Sequence, residues 1–185
     1  MDTTIEIKMN NLERLVETIK KEKGAAFQIP NFDPLNGNEN ARILFLLEAP
    51  GKTAIKEGYV SLDVQDQTAK NFRQQLAEAE IDRSEIVIWN IVPWYIGREG
   101  KVIPPISTDV KEGLVYVDKL ITILKNLEYI VLVGSSARKA HVHLSYTVTT
   151  KILGCHHTSP KVVNNHLGKV EENIRVFRIL NRSRH

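Results

Sequence analysis

Three segments of this 185-residue sequence place polar or ionisable side chains directly after apolar runs, where a buried strand would end and a ligand could be met. Glu48 follows Ile43-Leu44-Phe45-Leu46-Leu47. A carboxylate there is partly desolvated and can act as a base or an electrostatic stabiliser, or it can simply accept hydrogen bonds from a neighbouring loop. After Ala49, Pro50-Gly51 either lets the backbone approach a ligand closely or makes an ordinary turn. Asn90 follows Ile86-Val87-Ile88-Trp89. Its amide has two donors and an acceptor, enough to read a base edge, although an asparagine here can also fix its own turn. The third segment is Cys155-His156-His157-Thr158-Ser159-Pro160. An imidazole can stabilise developing negative charge by donating a hydrogen bond. Ser159 can bind phosphate through its hydroxyl, and Lys161 adds a point charge. Val162 and Val163, read here as loop residues, form either a wedge between bases or part of the core.

Other groups are weaker candidates. His141, His143, Cys155, His156, His157 and His166 supply N and S ligands, but their spacing matches no standard zinc pattern, so no metal is expected. Trp89 reads as core, while Trp94 and Tyr95 could be core or could stack on bases. Gly134-Ser135-Ser136-Ala137-Arg138-Lys139 opens a helix whose free N–H groups could take a phosphate; an ordinary capped start is preferred. Lys52 could attack a sugar as an amine, a minor alternative.

The surrounding pattern indicates what positions these groups. Leu12, Leu15, Val16 and Ile19 mark an N-terminal amphipathic helix that Gly24 ends. Residues 25–40 read as a long loop. The apolar runs 43–47, 86–89 and 129–133 read as strands buried on both faces. Ala69, Phe72, Leu76 and Ala79 stripe one helix, and Leu114, Val117, Ile121 and Leu124 another, with Asp109 and Glu112 as a capping pair. Residues 95–107 are loop, 147–153 a shorter strand, and Ile174, Val176 and Phe177 a final strand. Strands alternating with helices predict an α/β fold of three layers, α/β/α, around a short, mostly parallel sheet. The expected organisation is a single domain, 1–185, with residues 1–40 as a helix-and-loop extension. Ligands of open α/β sheets bind beyond the carboxyl ends of the strands, where the three segments would converge.

Composition sets broad limits. Hydrophobic residues are 42% and charged residues 25%, ordinary for a globular protein. The net charge of +3 permits nucleic-acid binding without arguing for it. No apolar run is long enough to span a bilayer, so no membrane partner is expected. Met1-Asp2-Thr3-Thr4 lacks a leader pattern, and a single cysteine allows no internal disulfide, so an intracellular, cytoplasmic location is expected.

The three segments, in this order, resemble the uracil-DNA glycosylase superfamily. Leu47-Glu48-Ala49-Pro50-Gly51 resembles the first motif, closest to the Gly-Glu-Ala-Pro-Gly form of the iron–sulfur branch. Trp89-Asn90-Ile91-Val92-Pro93 resembles the strand with the base-reading asparagine, and His157-Thr158-Ser159-Pro160 the His-Pro-Ser-Pro motif. The resemblance runs from about residue 42 to the C-terminus. It implies excision of uracil or another deaminated base from DNA by base flipping, with no cofactor, by a monomer acting at the nucleoid. It further implies that Asn90 binds the base, with Ala49 and Tyr59 beside it, and that His157 stabilises the departing anion. Glu48 would help position or activate water. Pro50, Gly51, Ser159, Pro160, Lys161 and Val162 would contact DNA. Leu47, Ala49 and Thr158 depart from the motifs, Ala49 where another branch carries a catalytic aspartate. One cysteine excludes a four-cysteine cluster. A glycosylase for a lesion such as hypoxanthine, a non-catalytic DNA-binding relative, and a small-molecule-binding α/β protein are the alternatives.

Overall fold

The computed structural model describes residues 9–97, 103–165 and 168–182. In chain order the elements are α1 (Asn11–Lys23), β1 (Asn31–Phe32), β2 (Ile43–Leu47), α2 (Lys52–Glu57), β3 (Tyr59–Val60), α3 (Gln67–Glu78), β4 (Ile86–Asn90), α4 (Ser107–Ile123), β5 (Tyr129–Val133), α5 (Gly134–Ala137), α6 (His141–Thr147), β6 (Lys151–Cys155), α7 (Pro160–Asn165) and α8 (Gly168–Arg182). Short 3-10 turns at Arg83–Glu85 and Arg138–Ala140 complete the set.

Four strands form one sheet in the order β4-β2-β5-β6, every neighbour parallel. Alternate side chains on a strand point to opposite faces, so each apolar run feeds two cores. Leu44, Leu46, Val87, Trp89, Ile130 and Leu132 pack with α1 and α4 on one face. Ile43, Phe45, Ile88, Val131 and Cys155 pack with α3 and α8 on the other. The result is a three-layer α/β/α fold, with the sheet buried on both sides as expected.

Asn10 caps α1 by accepting from Glu13 N–H at 2.9 Å, and Glu13 accepts from Asn10 N–H at 2.8 Å. Gly24, at φ 79°, ends the helix. Within the segment read as a long loop, β1 pairs in parallel with β3. Asp33, buried there, accepts from Ser61 Oγ at 2.5 Å and Arg83 Nη2 at 2.8 Å. These bonds tie the stretch before β2 to the stretch after β3, which forms one wall of the site described below.

Several sequence expectations are corrected. The segment 174–177 is not a strand but lies in α8: Asn173, Ile174, Phe177 and Leu180 are buried at helical spacing. Its short apolar cluster mimics a strand because Val176 flanks the buried face. The late strand is displaced, since α6 runs to Thr147 and β6 begins at Lys151. Val162 and Val163 lie in α7, not in a loop. Asp109, not an Asp109–Glu112 pair, closes the start of α4, by accepting from Ile106 N–H at 3.0 Å. Glu112 instead accepts from Lys23 Nζ at 2.6 Å and ties α4 to α1. Trp94 is buried, with Lys23 Nζ 4.1 Å from its ring centroid, so it belongs to the core. Among the described residues no helix is long and apolar enough to cross a membrane.

Phe177 is fully buried and meets Phe45 and Phe72 at ring centroids 5.3 and 5.9 Å apart. Phe177→Ala is expected to destabilise the fold by about 3–5 kcal/mol. Chemical denaturation measures it, and a loss below about 1 kcal/mol contradicts this placement of α8.

Candidate active site

The parallel register brings the chemistry to one edge. Asn90 pairs with Leu47 at the carboxyl ends of β4 and β2. Past the sheet, Ile91 N–H donates to Leu47 O at 2.8 Å and Val92 N–H to Glu48 O at 3.0 Å. Val133 pairs with Cys155, so Gly134 and His156-His157 leave the sheet at the same edge. A cavity of about 310 Å³ lies here, walled by Ala49, Pro50, Gly51, Val60, Leu62 and Phe72, with Asn90, His157 and Asp66 among its polar residues.

Asn90 is 2% exposed, and its Nδ2 has no hydrogen-bond partner. Leaving such a donor buried and unpaired costs roughly 1–3 kcal/mol. Such a group calls for an explanation, and Asn90 is one of the residues that line the cavity.

His157 is held from several sides. Its Nδ1 accepts from Ser159 N–H at 3.0 Å, so the proton of the neutral ring sits on Nε2. The ring packs against Gly134, which has φ 86°; a Cβ at that position would come within 3.1 Å of the His157 Cβ and 3.3 Å of its Cδ2. Gly134 therefore makes room for the imidazole. The helix it opens has four residues, too short to act as the phosphate site considered from sequence. Burial lowers the proton affinity of His157; the charges of Glu48 and then Asp66 oppose that effect without overcoming it. The ring is thus a neutral Nε2–H donor near pH 7.

Buried amides fix the backbone that carries it. Asn173 on α8 accepts from His156 N–H at 2.7 Å and donates to His156 O at 3.0 Å. Asn173 also donates to Gln75 on α3 at 2.9 Å, and Asn71 donates to Thr158 O at 2.8 Å. His156 itself turns to Glu172, Nε2 to Oε2 2.6 Å.

The structure therefore brings together Asn90, Ala49, Pro50, Gly51 and His157. Glu48 is half-buried and stands outside the cavity wall, within electrostatic reach of His157. Ser159, Pro160 and Val162 are half-buried and Lys161 is exposed, all outside the residues that line the cavity. Tyr59 is not brought in: it is 42% exposed and borders separate depressions with Asp33 and Pro34. Among the described residues Phe72 is the aromatic of the wall. Lys52 is exposed and outside the wall. Gly51 has φ −79°, which any residue adopts, and a Cβ there would meet nothing within 4 Å. Nothing within the protein explains a glycine at that position; open space above it does suit a close-lying ligand backbone.

The sequence reads Gly134 as the start of a helix and gives no sign of its contact with His157, and it does not point to the clamp of Asn71, Gln75 and Asn173, or to Asp66. Each meets residues distant in sequence, and none carries a local pattern beyond a helix-capping Asp66. Among the described residues no group of three His, Cys, Asp or Glu side chains is placed to hold a metal. His143 faces Asp118 at 2.9 Å, and burial pushes the Cys155 thiol up to about 12. His166 lies outside the described residues.

With this geometry established, the chain can be set beside known proteins. The profile of the Uracil DNA glycosylase superfamily matches residues 34–181. No curated protein matches the sequence. A solution NMR structure of a candidate uracil DNA glycosylase from Methanosarcina acetivorans shares the fold at a TM-score of 0.53 and 16% identity, covering 83% of this chain and 99% of that one. Helix α1 lies before the matched span yet is packed into one of the two helical layers.

In an NMR titration His157 is expected to show the Nε2–H tautomer and a midpoint below its ordinary value of 6.5. An Nδ1–H tautomer or a midpoint above that value contradicts the bond from Ser159 and the dominance of burial.

Proposed function

The chain belongs to the uracil DNA glycosylase superfamily, and from that premise we propose that it is a DNA glycosylase that hydrolyses the N-glycosidic bond of uracil or another deaminated base. The observation that carries the proposal is that Asn90, a buried amide whose Nδ2 has no partner, lines a largely apolar cavity together with His157. A flat ring with a carbonyl on its edge satisfies that donor, and a cavity beyond the strand ends accepts a base only once the base has left the stack. Extrusion costs roughly a few kcal/mol, least where the base is mispaired.

In this reading the bond from sugar to base stretches, leaving positive charge on the sugar and negative charge on the base. His157 Nε2–H donates to the base as its charge grows. Its partner at Nδ1 and its packing on Gly134 are already in place, so little reorganisation is needed during the reaction. Apolar walls from Ala49, Val60, Leu62 and Phe72 keep water from weakening that bond. Glu48 lends negative charge near the sugar. Gly51 admits the DNA backbone, with Pro50, Ser159, Pro160 and Lys161 binding it and Val162 helping to displace the base. This chemistry calls for no cofactor, and the protein acts inside the cell as a monomer on damaged DNA.

A second reading, a DNA-binding relative without catalysis, is favoured by Ala49, whose methyl group lines the cavity and cannot activate water.

Excess protein with labelled oligonucleotides containing uracil, hypoxanthine or xanthine, followed by alkali, is expected to break the strand at one lesion. His157→Ala should cut the single-turnover rate by about 10²–10³-fold with DNA binding retained, and Asn90→Asp should alter base preference. Tight binding without breakage supports the non-catalytic relative. An unchanged rate in His157→Ala removes that residue from the chemistry.

A further inference from the structure

Hydrolysis needs a group that takes a proton from water, and Ala49 provides none. Two carboxylates act on His157 through space, Glu48 and Asp66. Among the described residues Asp66 is the carboxylate in the cavity wall. Its side chain is anchored: Oδ1 accepts from Ala69 N–H at 2.8 Å as the N-cap of α3. One oxygen is thereby fixed in space while the group keeps a second oxygen with which to accept a hydrogen bond.

We propose that Asp66, anchored as the cap of α3 in the same cavity as Asn90 and His157, is the carboxylate that holds and deprotonates the attacking water. This rests on the glycosylase reading above. The water oxygen bonds to the sugar C1′ and its proton passes to Asp66. The bond from C1′ to the base nitrogen breaks, and both electrons leave with the base. The base anion then takes a proton from solvent, and Asp66 returns its own to solvent. Glu48, outside the wall, contributes its charge but does not touch the water.

Asp66→Asn separates this role from capping, because asparagine caps a helix as well as aspartate does. The variant should melt like the wild type and bind lesion DNA as tightly. Single-turnover excision should fall by about 10²–10⁴-fold, and the acid limb of the pH–rate profile should vanish, while that limb persists in Glu48→Gln. In an NMR titration of Asp66→Asn the His157 midpoint should move further down, because one of the two charges that raise it is gone. Excision within threefold of wild type, an acid limb that vanishes in Glu48→Gln instead, or an unmoved His157 midpoint overturns the assignment of Asp66 alone. A wild type that excises no base overturns the glycosylase reading and this one with it.

Discussion

The site depends on a clamp of buried amides that holds the chain where it leaves β6. Beyond Cys155 the backbone has no strand to pair with, yet Thr158 is fully buried, and buried backbone groups must find partners. Asn173 satisfies both the N–H and the carbonyl of His156, and Asn71 satisfies the carbonyl of Thr158. These amides come from α8 and α3, the two helices that cover one face of the sheet. The packing of Phe72, Phe177 and Leu180 that forms the core on that face therefore also sets the position of His157. Stability and the site share one layer of the fold.

Within that frame the electrostatics follow from placement. The imidazole is desolvated, fixed as a donor by Ser159 N–H, and flanked by two carboxylates whose charges do not outweigh burial. A neutral donor in an apolar wall suits an anion that appears only during reaction, since a permanent cation there would bind anions in the ground state as well. Asn90 is the complementary element, a donor whose desolvation the fold tolerates without a partner.

Much of this was legible in the sequence. The runs 43–47, 86–89 and 129–133 could be read as strands because burial on both faces leaves no room for polar residues. Glu48 and Asn90 stand out as the first polar groups after strands, and His157 by the dense polar stretch 155–160. The misreadings share a cause. Ile174, Val176 and Phe177 look like a strand until Leu180 and Asn173 are counted with them. Tyr59, the candidate for the aromatic beside the base, stands outside the wall, whereas Phe72, which lines it, reads in the sequence only as part of the apolar stripe of α3. The clamping amides and Gly134 act across 17 to 98 residues of sequence or against one distant ring. Local pattern carries no trace of such contacts.

The central claim, that the unpaired amide of Asn90 and the Nε2–H of His157 meet an extruded base, has a direct spectroscopic test. The side-chain amide of Asn90 and the ring of His157 would be followed by NMR while a duplex is added whose lesion carries a fluorinated sugar that resists cleavage. The account predicts that the Asn90 Nδ2 and His157 Nε2 protons both move downfield, as new hydrogen bonds require. Shifts confined to the surface around Lys161, with those two protons unmoved at saturation, would contradict it.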